Sequence, residues 1–151
     1  MGYHFGDSSI ARLTTCHQDL QRVMLDAIVR SPVDFSITEG HRSHEQQLRY
    51  FLAGKSKLDP RIPEHKNKAM HLYSPSRACD IAIFVPGKPG LTYDYNHLCL
   101  VAGVVMACAA DLLNRQQITH RIRWGGNWDG DGEIIVDQTF NDLPHFELVP
   151  A

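Results

Sequence analysis

The chain has 151 residues, 43% hydrophobic and 21% charged, with a formal net charge of −2 when its nine histidines are neutral. That length suits a single domain, 1–151, built on one core, and the composition is that of a soluble globular chain. The weakly acidic balance gives no reason to expect nucleic acid as a partner, since its binders carry a basic face, whereas nine histidines direct attention to metal or acid–base chemistry.

The first residues show no basic region followed by an apolar one, so no Sec-type signal is expected. Asp7-Ser8-Ser9 can cap a first helix. Leu20, Val23, Met24, Ala27 and Ile28 then recur at helical spacing until Ser31-Pro32 stops the helix. Asp34 to Thr38 alternates polar and apolar and predicts a short strand. It leads to the turn Glu39-Gly40-His41-Arg42-Ser43, where Ser43 caps a second helix that runs to about Leu52 and closes at Gly54. Residues 55–77 read as a long loop, and such loops are often functional. Ala78 to Val85 predicts a buried strand, with Asp80, Ala82 and Phe84 on one face and Cys79, Ile81 and Ile83 on the other.

Tyr95 to Leu113 predicts a helix apolar nearly all round, and hence buried. Its longest apolar run, Leu98 to Ala110, is too short to span a bilayer, so no membrane insertion is expected. Arg121 to Trp124 and Pro144 to Val149 predict two more strands on either side of a Gly/Asp loop. Helices first and scattered strands later argue for an α+β fold, with helices packed on a small antiparallel sheet. The four cysteines form no C-x-x-C pair and are expected to be free thiols.

A catalytic zinc takes three protein ligands from His and carboxylate and leaves a fourth position for water. Asp80 is a charge inside an apolar strand, where burial is costly unless the carboxylate is paired or bound to metal. An exposed strand face or an ion pair with an Arg are the plainer readings. His145 sits in the last strand and by itself reads as a satisfied core or surface histidine. Asp142, three residues earlier at the strand entry, is placed to set a carboxylate beside a metal water as general base. His71 completes the candidate set, with His65 in the same loop as its alternative. The helix motif H-E-x-x-H is absent from the sequence. Arg42 reads most simply as an ion-pair partner of Glu39 or Asp34, and Glu147 as an exposed strand residue, with a place behind the metal ligands as its alternative. In the Gly/Asp loop, Asn127, Asp129 and Asp131 fall at positions one, three and five of an EF-hand-like calcium loop with Gly132 at six, although Gln138 stands at position twelve. The alternative is a plain Asp/Gly turn.

Taken together, these segments resemble the D-alanyl-D-alanine carboxypeptidase and L-alanyl-D-glutamate endopeptidase family of zinc peptidases, in its single-domain bacteriophage endolysin branch. The motifs are Gly40-His41-Arg42-Ser43 with Gln46, His71 followed by Ala78-Cys79-Asp80, the stretch Trp124-Gly125-Gly126, and Asp142-Leu143-Pro144-His145. The turn between His71 and Asp80, with Ser74-Pro75-Ser76, is longer than the family's usual spacing and reads as an insertion that bulges away from the metal.

The resemblance implies a hedgehog/D,D-peptidase-like fold, with Zn2+ held by His71, Asp80 and His145, and Asp142 as base. Arg42 would stabilise carbonyl charge or clamp a substrate carboxylate. Ser43 and Gln46 would contact substrate or only cap and brace the Arg42 turn, and Trp124 and Trp128 would line the cleft or lid the core. The implied partner is bacterial peptidoglycan, cut at L-Ala-D-Glu by a monomer that leaves the host cytoplasm through a membrane pore. The alternatives are a D,D-carboxypeptidase or dipeptidase, whose family members commonly carry Glu at the Asp142 position, and a non-catalytic zinc-containing wall-binding module.

Overall fold

The computed structural model describes residues 2–151. The chain runs α1 (Asp7–Leu13), α2 (Gln18–Arg30), β1 (Asp34–Glu39), α3 (His44–Leu52), α4 (Pro63–Lys68), a 3-10 turn (Met70–Leu72), β2 (Ala78–Phe84), β3 (Leu91–Thr92), α5 (Tyr95–Asn114), β4 (His120–Gly125) and β5 (Asp142–Pro150). The sheet order is β1-β2-β5-β4, with β3 paired to β2, and the pairings are antiparallel. This is the expected α+β architecture.

Register builds the site. β2 pairs with β5 so that Asp80 lies opposite His145 and Cys79 opposite Phe146. β4 then sets Arg123 opposite Glu147 and Trp124 opposite Phe146. Because side chains alternate across a strand, Asp80, His145, Glu147 and Arg123 share one face. Cys79, Phe146, Trp124, Ile81 and Ile83 turn to the other face and join one core with Leu20, Val23, Met24 and Ile28 of α2 and Val101, Val105 and Cys108 of α5. A register irregularity between Ile37 and Glu39 brings Glu39 opposite Asp80.

Several expectations change. The N-terminal helical region is two helices separated by a turn: α1 has Gly6 as its N-cap and Asp7 inside its first turn, so the expected Asp7-Ser8-Ser9 cap does not form. His17 starts α2, with Nδ1 accepting from the Asp19 N–H at 3.0 Å. The loop at 55–77 contains α4, started by Pro63 at a position where a proline's missing N–H is harmless. In α5 only the Leu98, Val101, Ala102, Val105, Cys108, Ala109 and Leu112 face is buried, while Leu100 is 47% exposed. With 20 residues, α5 is long and apolar enough to cross a membrane by length and composition, yet its buried face forms part of the core. The four cysteines are free thiols.

Candidate active site

His71, Asp80 and His145 converge from three elements, and their ligand atoms all lie within 4.8 Å of one another. Asp80 Oδ1 is 3.3 Å from His71 Nε2 and 3.0 Å from His145 Nδ1. Zinc bonds of 2.0–2.1 Å in a tetrahedron require donor separations of about 3.3 Å, so the spacing fits. His65 lies outside this group, and its Nδ1 accepts from the Asp59 N–H. The insertion at Ser74-Pro75-Ser76 packs against the Thr15–His17 turn, where Ser76 N–H donates to Thr15 O and His17 N–H to Ser76 O.

The outer ring nitrogens orient both histidines. His71 Nδ1 lies 2.7 Å from Gly40 O, an acceptor only, so Nδ1 carries the proton and Nε2 presents its lone pair. His145 Nε2 donates to Glu147 Oε1 at 2.8 Å, and Arg123 Nη2 donates to Glu147 Oε2 at 2.7 Å. Glu147 is therefore a buried partner of His145, the alternative of its two readings and not the exposed strand residue. Burial opposes charge on His145, but the bonds to Asp80 and Glu147 outweigh it and push the imidazole up to about 10. Burial likewise raises the Asp80 carboxyl, and the two histidines overcome it and hold it well below the carboxylate range.

Asp142 approaches from the entry of β5, its Oδ2 3.9 Å from His145 Nδ1 and its side chain 38% exposed. Burial raises its carboxyl and Asp80 adds repulsion, which together exceed the pull of the histidines and Arg42. Arg42 is engaged on all three nitrogens: Nε and Nη2 donate to Glu39 at 2.8 and 2.7 Å, and Nη1 donates to Gln47 Oε1 at 2.7 Å. Its guanidinium lies over Tyr50 and 3.9 Å from Asp80 Oδ2. The plainer reading of Arg42, an ion pair with Glu39, is what the structure contains. Gln47, fully buried, braces Arg42, whereas Gln46 accepts from Arg49. Ser43 Oγ accepts from the Gln46 N–H as a helix cap.

The two tryptophans separate. Trp124 is 5% exposed, with Nε1 donating to Leu143 O, and belongs to the core. Trp128 stands 5.8 Å from the His145 ring. The cleft over the metal residues, about 290 Å³, is lined by Thr38, Glu39, Tyr50, Asp80, Tyr93, Asp142 and Pro144. Tyr50 and Tyr93 were not legible as cleft walls, because each lies in a segment whose pattern shows only a helix and a short loop. A larger groove of about 600 Å³ lies between α5, β4 and the Gly/Asp loop and contains none of the three metal candidates. The site's chemistry, not its volume, marks the smaller cleft.

In the Gly/Asp loop the carboxylates of Asp129, Asp131 and Asp137 cluster at the surface. Asn127 Nδ2 donates to Asp131 O, and Asn127 Oδ1 is buried without a hydrogen-bond partner. Gln138 turns away to close the loop, with its Oε1 accepting from Trp128 N–H and its Nε2 donating to Gly125 O. A third cluster, His17, Asp19 and His120, is internally satisfied. Asp19 Oδ2 accepts from His120 Nδ1 and from the Thr119 and His120 N–H groups, which pins α2 to β4.

Over residues 1–149 the sequence matches the family described as phage L-alanyl-D-glutamate peptidase. The chain belongs to this family. Among its relatives is the L-alanyl-D-glutamate peptidase of Escherichia phage T5, 29% identical over 152 residues, covering 99% of this chain and 100% of the relative. The fold is similar to the crystal structure of Serratia marcescens L-Ala D-Glu endopeptidase ChiX, with a TM-score of 0.73 and 26% identity over 98% of this chain and 91% of that one.

Proposed function

We propose that the chain is a zinc peptidase that hydrolyses the L-alanyl-D-glutamate bond in the stem peptide of bacterial peptidoglycan. The observation that carries the reading is the convergence of His71 Nε2, Asp80 Oδ1 and His145 Nδ1, with both outer ring nitrogens held. Family membership and the names of both relatives support the substrate. Zinc bound there supplies Lewis acidity, polarising a carbonyl and acidifying water.

Asp142, at the cleft wall, takes the proton of the attacking water and returns it to the leaving amine. Arg42, fixed by Glu39 and Gln47, contributes positive potential beside Asp80; a direct clamp on substrate requires it to release one of those partners. Trp128, Tyr50 and Tyr93 flank the bound peptide, while Ser43 and Gln46 act on the turn that holds Arg42.

A calcium ion at the Gly/Asp loop is part of the same proposal. Its donors are the carboxylates of Asp129, Asp131 and Asp137, an all-oxygen set suited to a hard cation, and Asn127 Oδ1 at the start of the same loop has no hydrogen-bond partner. The protein acts as a monomer and reaches the wall from the host cytoplasm through a separate membrane pore.

Zinc content tests the ligand set. Wild type and His65→Ala are expected to hold one zinc, and His71→Ala and His145→Ala none. Loss of zinc in His65→Ala but not in His71→Ala would overturn it.

A further inference from the structure

Beyond the metal residues lies a row of aromatic and cationic groups. Phe140 stacks on Trp128 with ring centroids 6.0 Å apart and planes within 10°. Trp128 in turn is 5.8 Å from His145, and the Lys57 ammonium sits 5.7 Å over the Phe140 ring. The strip is held as a unit, because Trp128 Nε1 donates to Phe140 O and Gln138 bonds to both residues' backbones. Lys57 is also placed. Gln47 Nε2 donates to Ser56 Oγ and Leu58 O on either side of it, and Gln47 is the residue that braces Arg42. Lys57 is exposed and, among the described residues, has no carboxylate within 4.0 Å. A solvated ammonium over a half-exposed ring contributes little to the fold, which leaves it free for a ligand.

We infer that Lys57, above the Trp128–Phe140 strip, binds a carboxylate carried by the third residue of the stem peptide. This rests on the proposed L-alanyl-D-glutamate specificity. On the amino side of that bond stands one alanine joined to sugar, with the alanine's carboxyl and the sugar-borne one both consumed in amides. The free carboxylates all lie on the carboxyl side. Two aromatic rings, Trp128 and Phe140, separate Lys57 from His145 through contacts of 5.8, 6.0 and 5.7 Å, and on that separation the residue assigned to Lys57 is the one after the glutamate beside the scissile bond. A diaminopimelate stem bears an additional carboxylate at that residue, and a lysine stem lacks it.

Two soluble tetrapeptides that differ only in diaminopimelate or lysine at the third position test this. Wild type is expected to favour the diaminopimelate peptide by about tenfold in kcat/KM, the size of a charge-assisted contact in a partly wet site. Lys57→Ala brings the ratio to about one through a raised KM for that peptide, Lys57→Arg restores the preference, and Lys57→Glu inverts it. Thermal melting confirms that each variant is folded. Equal cleavage of both peptides by wild type, or a Lys57→Ala variant that loses activity on both alike, overturns the assignment while the proposed activity stands. Wild type that cleaves neither peptide and releases nothing from diaminopimelate-type sacculi removes the proposed activity and this inference with it, whereas release from sacculi with neither peptide cut overturns this inference alone.

Discussion

Replacing Glu147 tests whether the residues behind the metal ligands set its affinity. Glu147 accepts from His145 Nε2 at 2.8 Å and from Arg123 Nη2 at 2.7 Å, and its side chain is 7% exposed. In Glu147→Ala the imidazole loses the partner that fixes its ring, and Arg123, whose Nε already lacks a partner, loses its counter-charge. Loss of such an orienting carboxylate lowers metal affinity by about 10–100-fold, or about 1.4–2.8 kcal/mol. Glu147→Gln keeps an acceptor for His145 but no charge. Because charge-assisted hydrogen bonds are roughly twice as strong as neutral ones, it should lose about half that free energy. Zinc affinity is read by competition with a chromophoric chelator. The metal-free Glu147→Ala protein should also melt lower than metal-free wild type, because His145, pushed up to about 10 in part by this carboxylate, must give up charge or hold it with Asp80 alone. A Glu147→Ala variant that binds zinc within about twofold of wild type would refute the reasoning.

Asp142→Asn should keep its zinc and lose about 10²–10⁴-fold in kcat; full activity would show that the base is misassigned. Gly40→Ala places a Cβ against Arg12 O and Thr15 Oγ1, both too close to accommodate it, in the turn whose carbonyl holds His71. It should destabilise the fold by about 1–3 kcal/mol and weaken zinc binding as well, and calorimetry with zinc titration checks both. Burial pushes the Asp19 carboxyl up, but bonds from His120 and Thr119 outweigh it and hold it below its ordinary value. A carboxyl lowered by folding contributes stability above its unfolded pKa, which is lost as pH falls through the folded one. Asp19→Asn should therefore cost about 1–2 kcal/mol near neutral pH and flatten the decline of melting temperature below about pH 4.

Periodicity made the strands of Asp80 and His145 legible, and with them the face each side chain takes, because alternation in a short apolar run leaves one choice. It did not show that β2 and β5 are neighbours, and only that pairing brings Asp80 opposite His145. Glu147 shows the consequence. Two residues from His145 on the same face, it reads as a solvent-facing charge until β4 covers that edge and Arg123 meets it. Gln46 and Gln47 are indistinguishable as letters; the helix rotation set by Ser43 turns Gln47 inward to Arg42 and Gln46 outward to Arg49. The break between α1 and α2 was hidden because its cap is a histidine ring nitrogen, an unusual substitute for the customary hydroxyl or carboxylate. The outer face of α5 was misjudged for a different reason: alanines and glycine read as apolar whether or not anything covers them.

Digestion of purified diaminopimelate-type sacculi, with mass spectrometry of the fragments released with and without chelator, tests the proposed activity most directly. Fragments with new D-glutamate amino termini should appear, vanish with chelator and return when zinc is added. Release that chelator does not affect, cleavage at a D-alanine bond, or no release from a zinc-loaded protein would contradict it.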